Sequence, residues 1–407
     1  MSRYIYFLIL LSLLTACSGS QKEENFSKEI KFTVSQFGNI SALGLKPNQI
    51  PRTIDKDNKL TTVGVYNWTS GFFAGNLWYL YELTKDNKWK EEATKWTEAL
   101  DTIQYWTGNH DVGFIIYNSY GNAYRFDDRK DYKDIIITTA ESLSQRYNPK
   151  VGLIKSWDYR KAWDGKTEWF YPVIIDNMMN LELLFEASIL SGNPKYKEIA
   201  IKHANGTMKN HYRDDYSCYH VIDYDKNTGE VLDKATCQGY SDNSSWARGQ
   251  AWGLYGYAMC YRYTKDKKYL DFAENIANYI LTNESTPEDL IPLWDYNVNQ
   301  KGFTPEWNYD PNSYSEIPRD VSAASITASA LFELSEYSQK SDLYTNAAIK
   351  ILKSLSGNYL ADPAKDKYFI LGQSVGSFPH GVEINVPLVY SDYYYLEAIY
   401  RYNKQLK

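Results

Sequence analysis

The chain has 407 residues, and its 44 Lys and Arg against 50 Asp and Glu give a formal net charge of -6. No block of basic residues interrupts this balance, which argues against a nucleic-acid-binding surface and means that an anionic substrate would need arginines placed locally. The 38 tyrosines and 12 tryptophans are more informative, because aromatic rings that carry a polar handle suit sugar rings as well as cores.

The first residues are typical of an export signal. Arg3 precedes an apolar run from Ile5 to Leu14, and small residues then lead to Cys17, as in a bacterial lipobox. The run is too short to span a bilayer, so we expect a palmitate-type lipid on Cys17 that anchors the protein to a membrane, facing the periplasm. The alternative is an ordinary signal peptide with an incidental cysteine. The expected organisation is a signal peptide at 1–16, a lipidated tether at 17–30 and a single large domain at 31–407.

A helical repeat runs through the chain. In each unit a helix ends in aromatic and small residues, a short polar turn follows, and an amphipathic helix begins after another aromatic residue. After Tyr269, for example, apolar side chains recur at Ala273, Ile276 and Ile280. Five or six such hairpins, separated by long irregular insertions, favour an all-α fold, an (α/α)6 barrel in which a double ring of helices brings its loops to one rim.

Two inter-helix segments hold the first candidate site residues. In the glycine-punctuated aromatic loop at 66–78, Trp68 either stacks on a sugar ring or packs in the core. At 109–114, His110 stands beside Asp111, whose carboxylate either orders the turn or serves a site.

Asp176 is the next candidate. It follows an apolar run that starts at Pro172 and opens another helical segment, where an N-cap is its simplest structural role. Met179 stands where a capping box would have Glu or Gln, so the box is absent. A carboxyl beside this much apolar surface has a raised pKa, as a general acid working near neutral pH requires.

A small β-hairpin is predicted near 219–234, around a turn at 225–229. The spacing of Asp223, Asp225 and Asn227 resembles the start of a calcium loop. That interpretation fails, because Thr228 and Lys234 replace the glycine and the glutamate that such a loop requires.

Cysteine and histidine spacings give no metal site. Cys218 and Cys237 flank the predicted hairpin, where a disulfide between them is one option. His203 lies at helical spacing from Tyr196 and Ala200, which is typical of a core histidine. We predict neither a metal nor a nucleotide cofactor.

The segment from 238 to 252 is dense in amides, aromatic rings and glycine. Arg248 and Trp252 are four residues apart and share one helix face. Arg248 is able to fork onto a carboxylate, with a structural salt bridge as the competing role. A last loop, at 373–383, contains Ser374, Ser377 and His380 and has no assigned role.

With these segments in view, the chain resembles glycoside hydrolase family 88, the unsaturated glucuronyl hydrolases, from about Tyr66 to Glu397. The matching segments occur in the same order and are 68–78, 110–114, 175–180, 238–252 and 392–398. The resemblance implies an (α/α)6 barrel and a glycosidase that hydrates the C4=C5 double bond of a 4,5-unsaturated glucuronic acid at the non-reducing end of lyase-generated oligosaccharides.

The resemblance also implies roles for particular residues. Asp176 corresponds to the general acid/base and Asp111 to the second essential carboxylate. The remaining matches are substrate-binding positions, namely Trp68, His110, His220, Gln238, Arg248 and Trp252.

The resemblance leaves the substrate open between glycosaminoglycan and ulvan fragments. An unsaturated rhamnogalacturonyl hydrolase acting on pectin-type fragments and a non-catalytic glycan-binding lipoprotein are the alternative functions. The expected partners are the oligosaccharide and, through the lipid alone, a membrane; nucleic acid is excluded and the oligomeric state is left open.

Overall fold

The computed structural model describes residues 26–406, and helices dominate it. The helices are α1 (Ser27–Ala42), α2 (Ser70–Thr84), α3 (Asn87–Glu98), α4 (Val112–Ile116), α5 (Asn122–Phe126), α6 (Lys130–Ser144), α7 (Leu181–Ser191), α8 (Pro194–Asn210), α9 (Ala247–Thr264), α10 (Lys267–Thr282), α11 (Val321–Ser335), α12 (Ser341–Asn358) and α13 (Val389–Gln405). A π-helical turn at Tyr117–Gly121 joins α4 to α5, and 3-10 turns lie at Asp101–Tyr105 and Ile175–Asn180.

The short polar turns recognised in the sequence join the helices into hairpins by one recurring device. After α2, Lys85 adopts a left-handed conformation and Asp86 accepts a hydrogen bond from the Lys88 N–H at the start of α3. Lys265 and Asp266 repeat this arrangement between α9 and α10. The left-handed residue ends one helix and the aspartate caps the next, so a two-residue turn suffices to reverse the chain.

The helices form two concentric rings, which confirms the (α/α)6 barrel. The inner ring consists of α2, the α4–α5 segment, α7, α9, α11 and α13, and it closes because α13 packs against α2. Every residue of α11 is buried, as expected for a helix enclosed on all sides. The outer helices α1, α3, α6, α8, α10 and α12 each bury one face, which in α10 includes Tyr269, Ala273, Ile276 and Ile280.

Connection lengths alternate around the barrel. Each inner helix reaches its outer partner through a short turn, whereas each outer helix returns to the next inner helix through a long insertion. All six inner helices therefore run in the same direction, and the long insertions gather at their N-terminal ends. This rim is the place where the fold can build a site from loops.

Small antiparallel sheets order these insertions. The strands are β1 (Ile50–Ile54), β2 (Leu60–Val63), β3 (Tyr147–Asn148), β4 (Leu153–Ile154), β5 (Arg160–Lys161), β6 (Glu168–Trp169), β7 (Pro172–Ile174), β8 (Val221–Tyr224), β9 (Val231–Ala235), β10 (Ser374–Ser377) and β11 (Val382–Val386). The predicted hairpin is confirmed as β8–β9, and β7 extends it to three strands. The Asp223 carboxylate accepts a hydrogen bond from the Tyr171 N–H, and Asp225 accepts bonds from the turn.

The body of the protein begins before residue 31. Helix α1 starts at Ser27, and Phe26 is buried with its ring 5.4 Å from that of Tyr402. Residues 27–30, which were expected to belong to a tether at 17–30, are therefore part of the barrel. The predicted signal peptide and Cys17 lie outside the described residues. Within residues 26–406, no helix is both long enough and apolar enough to cross a membrane.

The three cysteines of the described part of the chain are free thiols, so the disulfide considered between Cys218 and Cys237 does not form. Cys218 packs in the main core, whereas Cys237 packs in a separate cluster beside β8 and β9. Burial raises the pKa of each thiol to about 12, which keeps both protonated and unreactive. His203 is fully buried as predicted, and its Nδ1 accepts a hydrogen bond from the Ile154 N–H.

Asp392 provides a test of how the last insertion is held to the inner ring. Its buried carboxylate accepts hydrogen bonds from the Ile370 and Leu371 N–H groups at 2.9 and 3.0 Å. Asp392→Ala leaves two buried donors without an acceptor, so we expect the free energy of unfolding to fall by about 2–4 kcal/mol. Urea denaturation measures this change. The exposed Asp342 on α12 serves as the control, since Asp342→Ala should change stability by less than about 0.5 kcal/mol; equal losses in both variants would contradict the assignment.

Candidate active site

The predicted site residues converge at the N-terminal rim of the inner ring. Asp111 immediately precedes α4, and Asp176 lies in the 3-10 turn that leads into α7. Arg248 and Trp252 occupy the first turns of α9. Asp111 makes no side-chain capping bond to α4, and Asp176 is not an N-cap, because Ile174 occupies that position of its 3-10 turn.

Asp176 faces an imidazole. The Nε2 atom of His220 lies 3.6 Å from Asp176 Oδ2, while His220 Nδ1 accepts hydrogen bonds from the Cys237 and Gln238 N–H groups. Because Nδ1 is an acceptor, the proton of the neutral ring is on Nε2 and points towards the carboxyl. Burial lowers the pKa of His220 well below its usual range, which keeps this imidazole neutral.

Asp111 and His110 repeat the arrangement. His110 Nε2 lies 3.4 Å from Asp111 Oδ1, and Asn180 lies 3.3 Å from the other ring nitrogen, Nδ1. The Asn180 Oδ1 accepts from the Phe114 N–H, so its amide nitrogen is the group that donates to His110. Burial lowers the pKa of His110 to about 3. Each carboxyl group thus faces one neutral imidazole N–H.

The two carboxyl groups share a raised proton affinity. Burial raises the pKa of Asp176 to about 7, where the charge of Arg248 opposes the shift and that of Asp111 adds to it. Burial also raises the pKa of Asp111 to about 7, against hydrogen bonds from Asn180 and Asn109. A carboxyl with this pKa retains a proton near neutral pH and is able to donate it.

Several buried polar atoms of this group have no protein partner. They include Asp176 Oδ2, His110 Nε2, His220 Nε2, Arg248 Nε and Trp252 Nε1. Buried polar atoms are nearly always hydrogen-bonded, so a cluster of five at one rim indicates a surface built to bind a polar ligand. Trp252 is fully buried and its ring packs against Phe114 and Tyr394, so it contributes the edge that carries the N–H and not a stacking face.

Arg248 forms the structural salt bridge that the sequence analysis considered. Its Nη1 lies 3.1 Å from Asp320 Oδ2 and also donates to the Val375 carbonyl, and its Nη2 donates to the Gly376 carbonyl at 2.5 Å. Both terminal nitrogens are therefore occupied, whereas the buried Nε has no protein partner. Arg248 holds the β10–β11 hairpin, and its charge still lowers the proton affinity of Asp176.

An outer chamber of about 310 Å³ adjoins His220, because its lining includes Cys237, whose N–H bonds to His220, and Trp157, whose ring centroid lies 6.1 Å from that of His220. Trp68 lines it and packs on Tyr390, with ring centroids 4.9 Å apart. Gln238 lines it as well, and its amide donates to the Gly376 carbonyl at 3.2 Å. The other lining residues are Arg52, Trp157, Arg160, Cys237, Gly376, Ser377, His380, Val382 and Glu383.

The chamber contains residues that the sequence did not single out. Arg52 lies in β1, Trp157 and Arg160 lie near β5, and Tyr390 lies at the start of α13. Only the local density of aromatic residues pointed to Trp157. The residues of the loop at 373–383 lie in different surroundings. Ser374 is buried and hydrogen-bonds to Ser391, whereas Ser377 and His380 line the chamber.

A second cavity, of about 300 Å³, lies among the C-terminal ends of the inner helices. Ion pairs line it, including those of Arg262 and Arg401 with Glu333. None of the predicted site residues lines it, and further pairs in it join Glu182 to Arg262 and Glu397 to Arg401. The candidate active site is therefore the N-terminal rim.

Curated relatives span nearly the whole chain. An unsaturated glucuronyl hydrolase from Formosa agariphila is 41% identical over 412 residues, covering 98% of this chain and 98% of the relative. An unsaturated chondroitin disaccharide hydrolase from Streptococcus pneumoniae is 33% identical, covering 86% and 85% of the two chains. No protein-family model matches the chain.

Solved structures agree with these relatives. An unsaturated glucuronyl hydrolase specific for heparin superposes with a TM-score of 0.85 at 45% identity, covering 93% of this chain and 97% of that one. The unsaturated glucuronyl hydrolase of Bacillus sp. GL1 gives a TM-score of 0.79 at 28% identity, with 92% and 94% covered.

The raised pKa of Asp176 predicts a pH-dependent effect on stability. The folded state binds a proton more tightly than the unfolded state, whose carboxyl has the usual pKa of 3.8, so stability falls as pH rises from about 4 to about 7. Asp176→Asn removes this penalty. At pH 8 we expect the variant to be more stable than the wild type by up to about 4 kcal/mol, with no difference near pH 4. Unfolding curves across this range measure the difference, and one that stays constant with pH would contradict the shift.

Proposed function

The chain belongs to the family of unsaturated glucuronyl hydrolases, and we propose that Asp176 and Asp111 perform the reaction of that family in this protein. The enzyme is a glycosidase that removes 4,5-unsaturated glucuronic acid from oligosaccharides. The observation that carries the assignment of residues is the buried carboxyl of Asp176, which has a pKa of about 7 and faces a neutral imidazole.

The proposed reaction begins with proton transfer. Protonated Asp176 gives its proton to C4 of the unsaturated ring, and its carboxylate then takes a proton from water as the water oxygen bonds to C5. C5 now carries both a hydroxyl group and the ring oxygen, so it is a hemiketal that opens to a ketone. Opening leaves a hemiacetal at C1, which collapses to an aldehyde and releases the adjoining sugar. This route differs from acid and nucleophile pairs that act directly at the anomeric carbon.

Asp111 and the two imidazoles support this proton transfer. The charge of Asp111 raises the pKa of Asp176, so Asp111 helps Asp176 keep its proton until the substrate binds. The Nε2–H groups of His110 and His220 are donors without a protein acceptor, and we assign them to orienting the carboxyl groups and the hydroxyl groups of the uronate. Trp252 adds a further polar atom to the same surface.

We propose glycosaminoglycan fragments as the substrates. The relatives named above include one specific for heparin and one that acts on unsaturated chondroitin disaccharides. The outer chamber, whose lining includes Trp68 and several polar groups, fits the sugar attached to the uronate. Ulvan and rhamnogalacturonan fragments are the comparison substrates in the test.

We also propose that Cys17 is lipidated and holds the enzyme on a bacterial membrane, facing the periplasm. The support is the apolar run at 5–14 followed by small residues and Cys17. A lipid-anchored enzyme would act on oligosaccharides that reach the envelope from outside.

Loss of the ultraviolet absorbance of the double bond tests the activity. With unsaturated disaccharides from chondroitin, hyaluronan and heparin, the wild type should consume the absorbance, with kcat/KM falling as pH rises above about 7 because Asp176 must carry a proton. Asp176→Asn should lower kcat/KM by about 10³-fold or more, whereas Asp342→Asn should retain wild-type activity. Faster turnover of ulvan or rhamnogalacturonan disaccharides than of all three would overturn the substrate assignment, and absorbance loss by Asp176→Asn at the wild-type rate would overturn the role of Asp176.

Membrane fractionation tests the lipid. The full-length protein should sediment with membranes and incorporate radiolabelled palmitate, and Cys17→Ala should do neither. Cys260→Ala is the matched control, because Cys260 is buried in the barrel. Labelling that persists in Cys17→Ala would refute the proposal.

A further inference from the structure

Two arginines, Arg52 and Arg160, line the outer chamber, and they differ in whether a carboxylate pairs with them. Arg52 forms a bidentate ion pair with Glu383, at 2.5 Å from Nε to Oε1 and 2.8 Å from Nη2 to Oε2. Its third contact is a hydrogen bond from Nη1 to Asn67. The charge of Arg52 is therefore compensated within the protein, and each of its three nitrogens donates a hydrogen bond.

Arg160 has no such compensation. Within residues 26–406 no carboxylate lies at ion-pair distance from its guanidinium, which stands 4.8 Å from the ring centroid of Trp157. Its Nη2 lies 2.6 Å from His380 Nε2. A guanidinium only donates, so His380 accepts at Nε2, carries its proton on Nδ1 and donates it to Ser377 Oγ at 2.6 Å. The side chain is thus held in place while its positive charge stays free.

The position of Arg160 determines which part of the substrate it can contact. The chamber is lined by neither Asp111 nor Asp176, so a uronate placed at the carboxyl groups directs the sugar bonded to it into this space. The inner arginine, Arg248, has both terminal nitrogens occupied. Among the described residues that line the chamber, Arg160 is therefore the arginine left to bind an anionic group on that sugar.

We propose that Arg160 recognises an oxyanion substituent, a sulfate or a carboxylate, on the sugar that adjoins the unsaturated uronate. This inference rests on the proposed function, since it places the uronate at Asp176. A planar guanidinium pairs with such groups through two parallel hydrogen bonds, and Trp157 and His380 hold it in orientation. Arg160 thereby selects sulfated over unsulfated fragments without taking part in the hydration step.

Matched substrates test the selection. The substrates are unsaturated chondroitin and heparin disaccharides with and without sulfate on the hexosamine, and the measure is the ratio of kcat/KM for each sulfated and unsulfated pair. Arg160→Gln should lower this ratio about 10-fold or more, mainly through KM, and leave the unsulfated substrate within about 2-fold. Lys161→Gln, which removes an exposed charge from the next residue, is the control and should leave the ratio unchanged.

The outcomes separate this inference from the proposed function. A wild-type enzyme that consumes none of the disaccharides refutes the proposed function itself. With an active wild type, an unchanged ratio in Arg160→Gln overturns the role of Arg160. An equal loss on sulfated and unsulfated substrates overturns it too, because Arg160 would then bind the uronate carboxylate or only support the fold. Replacing a sulfated hexosamine by one that carries a carboxylate distinguishes the two oxyanions, and Arg160→Lys should partly restore the ratio for whichever is bound.

Discussion

The inner ring of helices is enclosed on all sides, and this burial governs the rest of the structure. Helices such as α11 have no face for water, so they are stable only when neighbours surround them and the ring closes. Closure from α13 to α2 joins residues that are more than 300 positions apart in the chain, as in the hydrogen bond from Asn76 Nδ2 to the Val389 carbonyl. The same closure, with short turns at one end, sends every long insertion to the other rim. The site is thus a consequence of how the core is completed.

The chemistry of the site follows from placing carboxyl groups in the wall of that core. Asp111 and Asp176 stand where inner helices begin, against apolar side chains, and burial is the largest cause of their raised pKa values. Neutral imidazoles face both groups, because burial also prevents His110 and His220 from taking up a charge that would lower the proton affinity again. The surroundings of both carboxyl groups therefore raise their pKa, and each group retains a proton near neutral pH.

The sequence predicted what depends on local pattern. Helical periodicity and the polar turns gave the barrel, and the apolar run before Asp176 gave the raised pKa. The role of Arg248 depends instead on Asp320, 72 residues away, and on carbonyl groups of β10, which no local pattern connects to α9. Arg160 was missed because the sequence does not show which carboxylates lie near a side chain. Among residues 26–406, none lies at ion-pair distance from its guanidinium. The disulfide considered between Cys218 and Cys237 does not form, because the two residues pack in separate hydrophobic clusters, which their positions in the sequence do not reveal.

The β10–β11 hairpin connects the core to the chamber, and its carbonyl groups accept hydrogen bonds from both terminal nitrogens of Arg248. The Gly376 carbonyl accepts hydrogen bonds from both Arg248 and Gln238, and Glu383 on the other strand pairs with Arg52. A Cβ atom at position 376 would lie 2.7 Å from the Cβ atom of Glu383, so the close approach of the two strands requires glycine there. The hairpin is thereby fixed from both sides, and His380 at its turn is held where it orients Arg160. The buried Arg248 thus positions the β10–β11 hairpin, and His380 of that hairpin positions Arg160, which we propose binds the substrate.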